Sequence, residues 1–211
     1  MWHALRNHWP EYLIEAAGLG CFMISAGLLG TLLGSPESPV YQAVPDEYLR
    51  RVLMGFAMGV TAIVSIYSPF GKRSGAHINP AVTLTFWRLG KIAGWDAAFY
   101  VLFQFVGGIA GVCLVALILG ERFLSAPVSA VATVPGPHGP LVALLAELAI
   151  ALITMTTVLL LSNTPRLAPY TGLCVGVLIV TYIVLEAPLS GFSQNPARTF
   201  ASALVGNIWT S

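Results

Sequence analysis

The chain has 211 residues, 56% of them hydrophobic and 9% charged, with a formal net charge of +1 and a mean hydropathy of +0.80. A soluble domain carries about a quarter charged residues, so lipid rather than water surrounds most of this chain, and the near-neutral balance leaves no electrostatic footprint for nucleic acid. Cys21, Cys113 and Cys174 all fall inside apolar runs without metal-ligand spacing, which argues against disulfides and against a thiolate metal site.

A bilayer-crossing helix needs about 20 mostly apolar residues, and it must be a helix because the spanning backbone has to satisfy itself. The first such run is Tyr12–Gly34, which carries Glu15 and is too long for a secretory signal core. The second is Val52–Phe70. A shorter apolar segment follows, Asn79–Trp87, with its polar exit reaching residue 89; half a span suits a re-entrant helix beside a protein-walled cavity. Ala97–Gly120 is the third full run and holds Gln104 and a Gly107/Gly111 pair suited to close helix packing. Residues 121–140 are rich in Pro, Gly, Ala and Ser and are expected to run over the outer surface, with His138 as an ordinary loop residue. Leu141–Asn163, carrying Glu147, and Leu167–Leu185 complete five spans, and a second half-length segment covers Asn195–Val205. Glu15 and Glu147 are the only charges within the five runs.

Basic residues set the orientation. With the N-terminus inside, that side holds Arg6, Lys72, Arg73, Arg88, Lys91 and Arg166, against Arg50, Arg51 and Arg122 outside. The bias favours a cytoplasmic N-terminus.

The two halves of the chain echo each other. Ser74-Gly75-Ala76-His77-Ile78-Asn79-Pro80-Ala81 matches Ser190-Gly191-Phe192-Ser193-Gln194-Asn195-Pro196-Ala197, with Thr83 and Thr199 next in register. Residues 1–120 form a first repeat of three spans plus the half-helix at 79–89, residues 121–140 connect, and residues 141–211 form a second repeat of two spans plus the half-helix at 195–205. An odd number of spans per repeat inverts the second copy, an arrangement that puts transport sites near the midplane.

Asn is a leading N-cap residue and Pro is favoured at the first helical position, so each Asn-Pro-Ala opens a helix. A helix N-terminus carries roughly half a positive charge. Two such ends at the midplane would repel cations, and the asparagine amides would point N–H donors at any water between them.

These motifs resemble the aquaporin and aquaglyceroporin family along nearly the whole chain. The resemblance implies an all-α membrane protein with the inverted repeat, two re-entrant half-helices meeting at the centre, one pore per subunit and a homotetramer in the lipid bilayer. It implies a passive channel for water and other small neutral solutes that excludes protons and ions, with no cofactor and no metal. Asn79, Pro80, Ala81, Asn195, Pro196 and Ala197 would be the pore motifs. Arg198 would belong to the narrow outer constriction, a charge at a depth where charges are costly and functional. By offset, Phe56, Ile183 and Phe192 would complete that filter, with packing or lipid contact as their alternative role. Glu15 and Glu147 match carboxylates that hold the re-entrant backbone, and His77 and Gln104 match supporting hydrogen-bonding residues.

The chain departs from the family after Ala197, where residues 198–211 leave no room for a sixth span. A fragment of a longer protein is the preferred explanation, and a truncated, non-conducting product the alternative. Filter and branch markers also disagree. Phe192 and the absence of a filter histidine resemble glycerol channels, whereas Thr199, Ala203 and the short 185–191 segment resemble water channels. Water is favoured, with a glycerol or small-polyol facilitator as the alternative. Short termini suggest a bacterial inner membrane.

Three other classes fit less well. An intramembrane hydrolase would need His77 or Glu147 as a base, yet there is no Gly-x-Ser-x-Gly motif and no catalytic carboxylate pair. A coupled transporter would have only Glu15 and Glu147 for an ion site, and a scaffold would have no use for midplane donors.

Overall fold

The structure, a computed structural model, describes residues 1–209, and those residues are helical without strands. The last two residues of the second repeat, 210 and 211, lie outside the described residues. The helices are α1 (Trp2–Gly34), α2 (Pro39–Ala43), α3 (Glu47–Tyr67), α4 (Pro69–Ser74), α5 (Pro80–Arg88), α6 (Gly94–Leu119), α7 (Glu121–Leu124), α8 (Pro140–Ser162), α9 (Thr171–Leu185), α10 (Ala187–Ser190) and α11 (Pro196–Gly206). Five stretches among the described residues are long and apolar enough to cross a membrane: α1, α3, α6, α8 and Ala168–Leu185.

Caps explain where several helices begin and end. Asp46 accepts the Leu49 N–H at 2.6 Å, so α3 starts at Glu47 rather than at the apolar Val52. The same helix stops at Tyr67, short of Phe70, because Ser68 caps the next helix by accepting the Gly71 N–H with Pro69 at its first position. α1 begins at Trp2, ahead of Tyr12, since helix formation does not require the residues beyond the bilayer to be apolar.

α1 lies along α6, α3 along α9, and α11 against α6. Glycines allow the backbones to touch. A Cβ added at Gly107 would lie 2.0 Å from the Ala16 carbonyl oxygen, and one at Gly59 would lie 2.8 Å from that of Gly176. Leu19, Met23, Val112, Val115 and Phe123 fill the core on the first side, and Ala26, Met58, Tyr182, Ile183 and Phe192 on the second. Outward-facing leucines such as Leu117 and Leu152 stay exposed, as a lipid-facing surface requires.

Parts of the connecting segment 121–140 are buried against the helices. Phe123 is fully buried, and a Cβ on Gly27 of α1 would touch its ring at 3.0 Å. The Gly136 N–H donates to the Leu189 carbonyl at 2.9 Å, and Ala130 has no exposed surface. The segment's small residues let it pass inward, where Val131 and Ala132 reach the central cavity. A separate groove of about 580 Å³ opens beside α5, α8 and α11, lined by Leu144, Leu148, Phe200 and Trp209.

Candidate functional site

Each half of the molecule inserts the same device: a short helix, a left-handed glycine, an irregular strip and a half-helix. α4 ends on Gly75 at φ +88° and α10 on Gly191 at φ +84°, conformations that a glycine adopts without strain. Ala76 and Ile78, and then Phe192 and Gln194, are also left-handed, with φ between +40° and +52°. A non-glycine residue pays about 1–2 kcal/mol for that conformation.

Two carboxylates, Glu15 buried and Glu147 half-buried, hold these strips. Glu15, with no exposed surface, accepts from Ser74 Oγ (2.7 Å), His77 N–H (3.0 Å), Ile78 N–H (2.5 Å) and Gln104 Nε2 (2.7 Å). Glu147 accepts from Ser190 Oγ (2.7 Å), Ser193 N–H (2.6 Å) and Gln194 N–H (2.7 Å). Bonds to an ionised acceptor are worth about 1.5–3 kcal/mol each, enough to outweigh the backbone strain.

At the half-helix starts, Asn79 Oδ1 accepts the Ala81 N–H at 2.9 Å, and Asn195 Oδ1 accepts the N–H groups of Ala197 and Arg198 at 3.2 Å each. Each amide nitrogen reaches across to the opposite repeat. Asn79 Nδ2 donates to the Gln194 carbonyl, and Asn195 Nδ2 donates to the Ile78 carbonyl, both at 2.8 Å. One hydrogen of each ties the two helix ends together, and one is left for a guest.

Both asparagines line a central cavity of about 860 Å³. Three of the expected filter residues, Ile183, Phe192 and Arg198, also line it. Phe56 does not; its side is 58% exposed, in a stripe with Val60 and Val64 on the outer face of α3. Met58 does line it, 2% exposed and in one buried cluster with Ile183 and Phe192. Two residues are about 200° apart around a helix, so Phe56 and Met58 cannot share a face. The buried spacing of Met54, Met58 and Ala62 on one face was the signal available in the sequence. Arg198 Nη1 is buried without a partner among the described residues, and Arg198 lines the cavity together with the apolar Ile183 and Phe192.

His77 lines the cavity, with Nδ1 3.1 Å from Thr83 Oγ1 and its ring stacked on Phe86 at 5.0 Å. Gln104 donates to Thr83 Oγ1 at 3.0 Å as well as to Glu15, so the first strip is braced from α6. In the second strip Thr199 contacts both Ser193 Oγ and Thr133 Oγ1, the latter at 3.1 Å.

Sequence reasoning missed Glu186, Thr154, Tyr182 and Gln194. Ser190 Oγ contacts Glu147 and also Glu186 Oε1, while accepting the Phe192 N–H at 3.0 Å. Burial, together with the facing Glu147 charge, pushes the Glu186 carboxyl above its ordinary range. Glu186 is four residues before its partner Ser190, and that spacing was the signal available in the sequence.

Residues 6–211 match the family model described as Major intrinsic protein. The chain is 32% identical to Aquaporin Z of Photorhabdus laumondii over 88% of this chain and 85% of that protein. It is 35% identical to a protein named probable aquaporin AqpM of Archaeoglobus fulgidus, over 74% of this chain and 65% of that protein. Against the putative aquaporin NIP4-1 of Arabidopsis thaliana it is 34% identical over 72% of this chain and spans about half, 52%, of that relative. The fold is similar to the X-ray structure of the aquaglyceroporin from Plasmodium falciparum, with a TM-score of 0.73 and 23% identity, over 96% of this chain and 82% of that one. The chain belongs to the major intrinsic protein family.

Proposed function

We propose that this member of the major intrinsic protein family is a passive channel for water and other small neutral solutes that excludes protons and ions. One observation carries it: two half-helix N-termini, capped by Asn79 and Asn195, are bonded to each other's repeat over a single cavity. Each N-terminus brings about half a positive charge to that point. The free amide hydrogens then orient a passing water by its oxygen, which breaks a donor–acceptor file along which a proton could hop.

Arg198 adds a full positive charge near the outer constriction. Its unpartnered Nη1 is free to donate to a permeant, and its charge raises the barrier for cations. Met58, Ile183 and Phe192 form the apolar remainder of that constriction. An apolar wall facing one guanidinium suits a molecule with carbon on one side and hydroxyl on the other, so glycerol stands beside water as a candidate permeant. We further propose a homotetramer in a bacterial cell membrane with a cytoplasmic N-terminus, from the family resemblance and the distribution of basic residues. In this reading Glu15, Glu147, His77 and Gln104 support the pore strips, and no step of permeation requires catalysis or a metal.

The test is osmotic swelling of liposomes holding the full chain, first with water and then with glycerol. Water flow above that of protein-free liposomes supports the channel, and glycerol uptake decides the width of its selectivity. Flow equal to bare lipid for both would overturn the proposal.

A further inference from the structure

The two pore strips are built alike in their backbones but not in one side chain. Immediately before its asparagine the first repeat has Ile78 and the second has Gln194. Both donate their N–H to the repeat's glutamate, and both give their carbonyl to the opposite asparagine. Both line the central cavity. An apolar side chain therefore satisfies the strip, and the carboxamide of Gln194 is surplus to holding it.

Its partner breaks the repeat in the same way. Thr154 stands seven residues after Glu147, where the first repeat has Phe22 seven after Glu15. Thr154 also lines the cavity, on the face of α8 shared with Val158 and Ser162. Its Oγ1 lies 3.3 Å from Gln194 Oε1, 3.2 Å from Gln194 Nε2 and 3.3 Å from the Tyr182 hydroxyl. Amide, hydroxyl and phenol form a short chain that can run in either direction. Run one way, Tyr182 donates to Thr154 and Thr154 to Gln194 Oε1, leaving amide hydrogens for the lumen. Run the other way, Gln194 Nε2 donates to Thr154 and Thr154 to Tyr182, leaving the amide oxygen as an acceptor.

We infer that Gln194 and Thr154 form a solute subsite beside the Asn79–Asn195 pair, specific for small neutral molecules that both donate and accept hydrogen bonds, namely polyols and amides. The asparagines offer donors alone. A hydroxyl or amide solute stripped of water at that depth also needs an acceptor, and the Gln194 oxygen supplies it where the facing α3 wall, Met58 and Ala62, is apolar. Water, smaller and able to bond within its own file, does not depend on it. Tyr182 is a positioning residue that acts through Thr154.

The inference rests on the channel reading, and the experiment separates the two. Liposomes holding the full chain are assayed for water efflux against sucrose and for uptake of glycerol and of urea, in the parent, Gln194→Met, Thr154→Val and the double variant. The parent takes up glycerol, urea or both faster than bare lipid. Gln194→Met slows that uptake about two- to ten-fold, the range one net hydrogen bond represents, and leaves water efflux within about two-fold, since no water-ordering bond of the asparagine pair is touched. Thr154→Val shifts the same ratio in the same direction, and the double variant falls no further than Gln194→Met, because both act on one bonded unit. A parent that passes water but neither solute, an unchanged solute rate in Gln194→Met, or solute and water rates that fall together would overturn the subsite. A parent passing neither water nor solute would overturn the channel itself.

Discussion

Replacing Glu147 by glutamine changes one oxygen to an amide and should close the pore without unfolding the chain. The carboxylate now takes Ser190 Oγ and the Ser193 N–H on Oε1, and the Gln194 N–H on Oε2. In Glu147→Gln the remaining oxygen keeps the first two, and the new NH₂ faces the Gln194 N–H, donor against donor. A buried N–H left without an acceptor costs about 1–3 kcal/mol, and the two surviving bonds weaken from charge-assisted to neutral by roughly 1 kcal/mol each. The total is about 3–5 kcal/mol, applied to a strip that already stores about 1–2 kcal/mol at each of the left-handed Phe192 and Gln194. A relaxed strip moves Gln194 and with it the carbonyl that anchors Asn79. Water permeability of reconstituted liposomes, by stopped-flow light scattering at matched protein content, should fall at least about ten-fold, since about 1.4 kcal/mol already shifts a population ten-fold. Helical content by circular dichroism should be retained. Glu37→Gln, at an exposed ion pair with Arg122, is the control and should stay within about 0.5 kcal/mol of the parent in stability. A Glu147→Gln protein keeping more than half the parent's water permeability would refute the role given to this carboxylate.

Met58→Trp should cut glycerol uptake while Phe56→Ala leaves water and glycerol rates unchanged; an effect of Phe56→Ala matching that of Met58→Trp would return the filter position to Phe56. Gly107→Ala forces a Cβ to within 2.0 Å of the Ala16 carbonyl and should abolish monodisperse protein in detergent, as overpacking costs typically 1–3 kcal/mol or more. Gly94→Ala, where the nearest foreign atom is 3.4 Å from the new Cβ, should behave as the parent in the same size-exclusion assay. Arg198→Val should raise proton flux, read with a pH dye inside the liposomes; a variant as proton-tight as the parent would contradict the charge-barrier role of Arg198.

How much of this was legible in the sequence depended on whether the signal was local. Helix starts at Asn79 and Asn195 are written in two adjacent residue types, cap and proline, and they appear where expected. Span existence follows from apolar length, yet span ends did not, because the ends are set by caps such as Ser68 and Asp46 rather than by hydropathy. Phe56 was misplaced for a different reason. Counting an offset across a loop of altered length moves a residue around the helix by about 100° per position, and only the buried face through Met54, Met58 and Ala62 corrects it. Thr154 and Tyr182 were silent because their partners lie on other elements, so no spacing along the chain records them, whereas Glu186 stands four residues before its partner Ser190 and was legible. The burial of Phe123 and Ala130 within residues 121–140 was hidden as well, since small and turn-forming residues fit a buried passage as readily as an exposed loop.

The most direct test of the pairing of helix ends at Asn79 and Asn195 is to record water flow and proton leak in the same liposomes. The account predicts water flow well above bare lipid with weak temperature dependence, and a proton leak no greater than that of bare lipid. Water and protons rising together, or water flow no faster than through lipid alone, would contradict it.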